Sequence, residues 1–114
     1  MTTIETTTLS PIAQLNDLFR KGDHTLGRVH TSQIVNGLSS EEQQELFRLV
    51  RTFDDFTEDN DPYGEHDYGR VELKGEQYLW KIDYYDKSLK YGSEEPGNTA
   101  VTTRVLTLMH SSEY

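Results

Sequence analysis

RVELKGEQYLWKIDYY, running from Arg70 to Tyr85, is the stretch whose reading decides the fold. Val71 and Leu73 alternate with charged neighbours, Gly75-Glu76 fits a two-residue hairpin turn of the glycine-first kind, and alternation resumes from Gln77 to Tyr85. With Gly75 and Glu76 in the turn, Leu73 is expected opposite Tyr78 and Val71 opposite Trp80. Tyr78, Trp80, Ile82 and Tyr84 then share one buried face. A one-sided aromatic sheet needs helices to cover it.

Two helices are expected upstream. Ser10-Pro11 supplies a hydroxyl cap and a proline at the first helical position. Ile12, Leu15, Leu18 and Phe19 then recur on one face, and Gly22 is the stop, so the first helix is placed over residues 11–21. In the second, Ser39 and Glu42 have capping-box spacing and Leu46, Leu49, Val50 and Phe53 repeat at helical intervals. Between them, residues 28–35 carry β-branched Val29, Thr31, Ile34 and Val35 and read as a short strand closed by Asn36-Gly37. Downstream of a polar loop, 86–99, residues 101–110 read as a strand covered on both faces, although Val101, Val105, Leu108 and Met109 also suit a helix. The fold class is α+β: two N-terminal helices packed on a small antiparallel sheet of three to four strands, with residues 1–10 a flexible start and 11–114 a single domain.

Composition narrows the function classes. The chain has 114 residues, 20 Asp and Glu against 11 Lys and Arg, a formal charge of -9, and no cysteine. Such a field repels nucleic acid and anionic membranes, so direct nucleic-acid binding is not expected; an acidic surface suits basic partners, metal cations or simple solubility, the last being the usual explanation. The missing cysteines exclude disulfides and thiolate chemistry and fit a reducing compartment. The Thr-rich start has neither a basic region nor an apolar run, so a cytoplasmic location is expected.

The charge is concentrated between Asp54 and Asp67, where seven carboxylates (Asp54, Asp55, Glu58, Asp59, Asp61, Glu65, Asp67) occur with no Lys or Arg. Pro62 and Gly64 break any periodicity, so the segment is a loop. Phe53, Phe56, Tyr63 and Tyr68 flank or interrupt it and are able to pin it to the core. Its bland reading is a solvated loop whose Asp and Asn residues make turns. A calcium loop starting at Asp59 places Asp61 at position three, Gly64 at six and Asp67 at nine, but Tyr63 at five and Arg70 at twelve defeat the match. A divalent-cation site using His66 and Asp67, with Asp54, Asp55 or Glu65, is the alternative reading, as a metal-dependent enzyme or a metal-binding domain. Carboxylate pairs suited to acid–base work are too frequent in so acidic a chain to point to glycoside cleavage. No Gly-x-Ser-x-Gly or Ser-x-x-Lys nucleophile motif is present; after Ser88 the lysine, Lys90, comes one residue too early and Tyr91 holds the required place.

Phe53-Asp-Asp-Phe-Thr-Glu-Asp-Asn-Asp-Pro-Tyr-Gly-Glu-His-Asp67, Trp80-Lys-Ile-Asp-Tyr-Tyr-Asp86 and Thr103-Arg-Val-Leu-Thr-Leu-Met109 together resemble a domain-of-unknown-function family of small bacterial and plasmid-borne proteins, over residues 12–114. That resemblance implies no activity, cofactor or catalytic residue, only a bacterial and mobile-element setting. The leading expectation is a non-enzymatic acidic binding protein without a cofactor. It would mimic nucleic-acid phosphates toward a basic host or mobile-element defence protein, with a second copy of the chain as another candidate partner. Asp55, Glu58, Asp59, Asp61, Tyr63, Glu65, Tyr84 and Tyr85 are the candidate partner-binding residues, and Tyr91, Glu94 and Glu95 extend the acidic and aromatic surface.

Overall fold

The computed structural model describes residues 9–114. Residues 1–8 of the expected flexible start lie outside the described residues, whereas Ser10 is the N-cap of α1 (Pro11–Arg20) and accepts a bond from the Ala13 amide. The chain then runs through β1 (Gly27–Thr31), α2 (Gln33–Asn36), α3 (Ser40–Thr52), β2 (Tyr68–Leu73), β3 (Glu76–Tyr85) and β4 (Thr103–His110). The four strands form one sheet in the order β1-β4-β3-β2. The α+β class stands, with two corrections to the architecture. The sheet is mixed, because β1 lies parallel to β4 with Val29 level with Leu106. A third helix is present as well, since Ser32 caps a single turn over Gln33–Asn36 and thereby ends the expected 28–35 strand at Thr31.

The hairpin forms with a different turn from the one expected. Leu73 pairs with Glu76 and Val71 with Tyr78, so Lys74-Gly75 makes the two-residue turn. Both residues have positive φ, 52° and 81°, as a turn of the primed type requires. The pairing is displaced by two residues, which preserves every side chain's face because the strand period is also two. Tyr78, Trp80 and Ile82 are therefore buried together as expected.

Helices cover that face. Phe19 of α1, Val35 of α2, and Leu46 and Val50 of α3 pack against Val71, Tyr78, Trp80, Ile82, Leu106 and Leu108. The Ser39–Glu42 capping box at the start of α3 is complete. β4 spans Thr103–His110 and is buried on alternate faces at both Leu106 and Val105, as befits a central strand, while Val101 lies before it.

α1 departs most from the sequence pattern. Its buried positions are Ala13, Asn16, Phe19 and Arg20, whereas Leu18 is 55% exposed. The helix is rotated so that polar groups, not the Ile12-Leu15-Leu18 stripe alone, face inward. Those groups build the site below.

Close packing at Trp80 sets a sharp steric condition. A Cβ on the buried Gly69 would lie 2.6 Å from Trp80 Nε1 and 2.9 Å from Phe53 Cε1. We expect Gly69→Ala to destabilise the fold by about 1–3 kcal/mol, read from the midpoint of urea unfolding; an unchanged midpoint would mean that the indole and Phe53 are not packed this way.

Candidate functional site

The acidic segment between α3 and β2 is built as two consecutive tight turns. In the first, the Asp61 amide donates to the Thr57 carbonyl at 2.8 Å. Asn60 braces it by accepting from the Thr57 amide at 2.9 Å and donating to the Asp55 carbonyl at 2.8 Å. Glu58 and Asp59 sit at this tip, both exposed. In the second turn Pro62 and Tyr63 are the central residues, the Gly64 amide donates to the Asp61 carbonyl, and Gly64 takes a left-handed φ of 65°. Tyr63 stands at its tip, 86% exposed.

The carboxylate of Asp61 faces the other way. It accepts the amides of Glu65 at 3.0 Å and His66 at 3.2 Å, which closes the second turn from beneath and holds His66 at a φ of 57°. The His66 ring stacks on Phe56, centroids 3.8 Å apart and planes at 5°. Its Nδ1 is 3.0 Å from an Asp17 oxygen, and its Nε2 is 3.8 Å from Asp61.

Asp17 leads into the protein. It accepts from Arg20 at 2.9 Å. Arg20 itself donates to the carbonyls of Val50 at 2.8 Å, Arg51 at 3.3 Å and Phe53 at 3.0 Å, satisfying the open carbonyls at the end of α3. Its guanidinium lies 5.4 Å from the Phe56 ring centre and 5.2 Å from that of Trp80. One buried cation thus touches α1, α3, the acidic loop and the sheet.

A second chain of bonds runs alongside. Asn16 donates to the Glu65 carbonyl at 2.9 Å and to the Tyr84 hydroxyl at 2.8 Å, and accepts from Arg104 Nε at 2.7 Å. Tyr84 in turn donates to Glu65 Oε1 at 2.9 Å. Arg104, wholly buried, stacks over the Tyr84 ring at 5.2 Å and donates to the Pro96 carbonyl at 2.7 Å. Burial pushes the Arg104 pKa below its usual value, opposed by Tyr84 and Glu65. Burial also drives the Tyr84 phenol well above its usual value of 10, the bond to Glu65 adding to the shift and the bond from Asn16 opposing it. Asp67, half-buried, is raised by burial first and then by Glu65, Asp61 and Asp83.

The predicted site residues thus divide into two groups. Asp54, Asp55, Glu58, Asp59 and Tyr63 are exposed, while Asp61, Glu65 and Tyr84 spend their polar atoms inside the protein. Tyr85 is partly buried near the end of β3, where the chain itself returns: the Ser93 amide bonds the Tyr84 carbonyl and Gly92 bridges to Tyr85. That end of the strand therefore offers no open edge to a partner. His66 and Asp67 are neighbours in sequence, yet among the described residues no three His, Asp or Glu side chains converge in a way that could hold a metal ion. Asn16, Asp17, Arg20 and Arg104 are absent from the sequence-based site. For the three in α1 the signal was the 13-16-17-20 spacing, which puts Asn16, Asp17 and Arg20 on the same side of the helix as Ala13.

The protein family described as "Protein of unknown function (DUF3768)" matches residues 30–113. The chain belongs to the DUF3768 family. The match begins within β1, so α1 and its three inward polar residues precede the DUF3768 region, which holds the acidic turns, Tyr84 and Arg104. No curated protein and no solved structure matches the chain. Among the described residues no helix is long and apolar enough to cross a membrane.

The Tyr84 environment fixes a pH dependence. Its phenol stays neutral in the folded protein above pH 10, where the unfolded chain loses the proton, so stability is full below that pH and falls as pH rises. We expect the phenolate absorbance of the protein and of Tyr84→Phe to match until the fold melts, with a gentler alkaline loss of stability in the variant. A Tyr84 signal titrating near pH 10 in the folded state would contradict the buried bond to Glu65.

Proposed function

We propose that this chain is a non-enzymatic binding protein that docks the outer surface of its acidic double turn onto a basic protein partner. The observation that carries this reading is the division of labour in the loop: Asp61, Glu65 and His66 tie it down from inside, leaving Asp54, Asp55, Glu58, Asp59 and Tyr63 outward and free of ion pairs among the described residues. Four carboxylates held together repel one another, and a cationic partner relieves that repulsion. Bracing limits the conformational entropy lost on docking, and an exposed tyrosine adds an aromatic anchor.

In the sharper form of the proposal, the carboxylates stand in for nucleic-acid phosphates and the chain inhibits a nucleic-acid-handling host or mobile-element defence protein in the cytoplasm. Glu94 and Glu95, both exposed, line a concavity with the exposed Tyr91 and supply a second acidic and aromatic patch.

Charge reversal tests the reading without disturbing the fold, because none of the changed side chains bears on the inner network. Glu58→Lys with Asp59→Lys, and separately Tyr63→Ser, should not lower the unfolding midpoint. Each should abolish or strongly weaken capture of a basic protein from a bacterial lysate, and duplex DNA or raised salt should displace that protein from the parent. Capture that is indifferent to both variants, to DNA and to salt would refute the proposal.

A further inference from the structure

The C-terminal end of α1, one side of α3 and the strands β1 and β4 line an open cleft of about 540 Å³, to which Arg20 contributes. This lies inside the range of roughly 300–1,000 Å³ typical of small-molecule sites. Its lining is largely apolar: Val29 and Phe47 are the partly exposed apolar side chains, set over the buried Phe19, Val50 and Leu106. The basic side chains on its wall and rim are Arg20, His24 and Arg51, with no carboxylate among the lining residues. That is a local inversion of a chain carrying 20 acids against 11 Lys and Arg.

The three rim groups differ in what they have left to give. Arg20 is committed through its terminal nitrogens to Asp17 and to the end of α3, though its buried Nε has no hydrogen-bond partner. Arg51 is exposed, and its guanidinium makes no hydrogen bond or ion pair among the described residues. His24 is exposed across the same opening.

We infer that this cleft binds a small amphipathic carboxylate, its hydrocarbon portion against Val29 and Phe47 and its carboxylate at Arg51 and His24. An apolar chain gains by leaving water for such a lining. An anion gains at the rim, whereas a cation of the same shape meets like charge there, so the site selects by charge as well as by size. The site is separate from the acidic turns and does not depend on their role.

Titration of the whole protein with octanoate, octanol and octylammonium tests the assignment, followed by backbone amide shifts in nuclear magnetic resonance. Saturable octanoate binding that shifts Gly22, Val29 and Phe47 is expected, with octanol weaker and octylammonium weakest. Arg51→Glu, at an exposed position, should weaken octanoate at least about tenfold and leave octanol unchanged. Non-saturable octanoate binding, shifts away from the cleft, equal affinity for octylammonium, or an Arg51→Glu variant that keeps its preference for octanoate would each overturn the inference.

Discussion

The buried guanidinium of Arg20 is the constraint on which the rest of the structure depends. A fully desolvated cation is costly unless its donors are met, and removing one partner of such a group typically costs about 3–5 kcal/mol. Here one nitrogen meets three carbonyls at the end of α3, another meets Asp17, and the flat face lies against Phe56 and Trp80. Those demands fix the rotation of α1, the position of the α3 terminus and the entry of the acidic loop together. They also tie Arg20 to two surfaces. Asp17 passes the contact to His66 and the acidic turns, and Arg20 itself forms part of the wall of a largely apolar cleft with a basic rim.

The same logic explains how so acidic a segment is held in place. Seven carboxylates without a local cation would repel one another in a free loop. The protein turns Asp61 and Glu65 inward, where backbone amides and the Tyr84 hydroxyl meet them, and supplies His66 and the Asn16–Arg104 pair as braces. What remains outside is a compact anionic surface with a tyrosine at its tip. Recognition of a basic partner is the use this arrangement supports best.

The sequence made some of this legible and hid the rest for identifiable reasons. The hairpin, the α3 capping box and the Ser10-Pro11 start were readable because each is a local device whose chemistry lies within a few residues. The turn was placed one residue late because Lys74, a non-glycine, adopts positive φ beside Gly75. The parallel β1–β4 pairing joins residues about 77 positions apart, as Val29 and Leu106 show, and leaves no local trace. Apolar periodicity does not reveal the inward face of α1, because it ignores Asn16, Asp17 and Arg20, whose partners exist only once α3, the loop and β4 are in place. Phe53 and Phe56 correctly marked the acidic segment as pinned to the core. Which carboxylates turn inward was not readable, since Asp59 and Asp61 look alike until the turn geometry is known.

Native-state amide hydrogen exchange on the unaltered protein tests most directly the claim that the buried network holds the acidic turns as part of the core. The Glu65 and His66 amides, bonded to Asp61, are predicted to exchange as slowly as those of Leu46 and Val50 in α3, through global unfolding alone. Exchange of Glu65 and His66 at the rate of the exposed Glu58 and Asp59 amides would contradict it, and would mean that the loop opens independently of the fold beneath it.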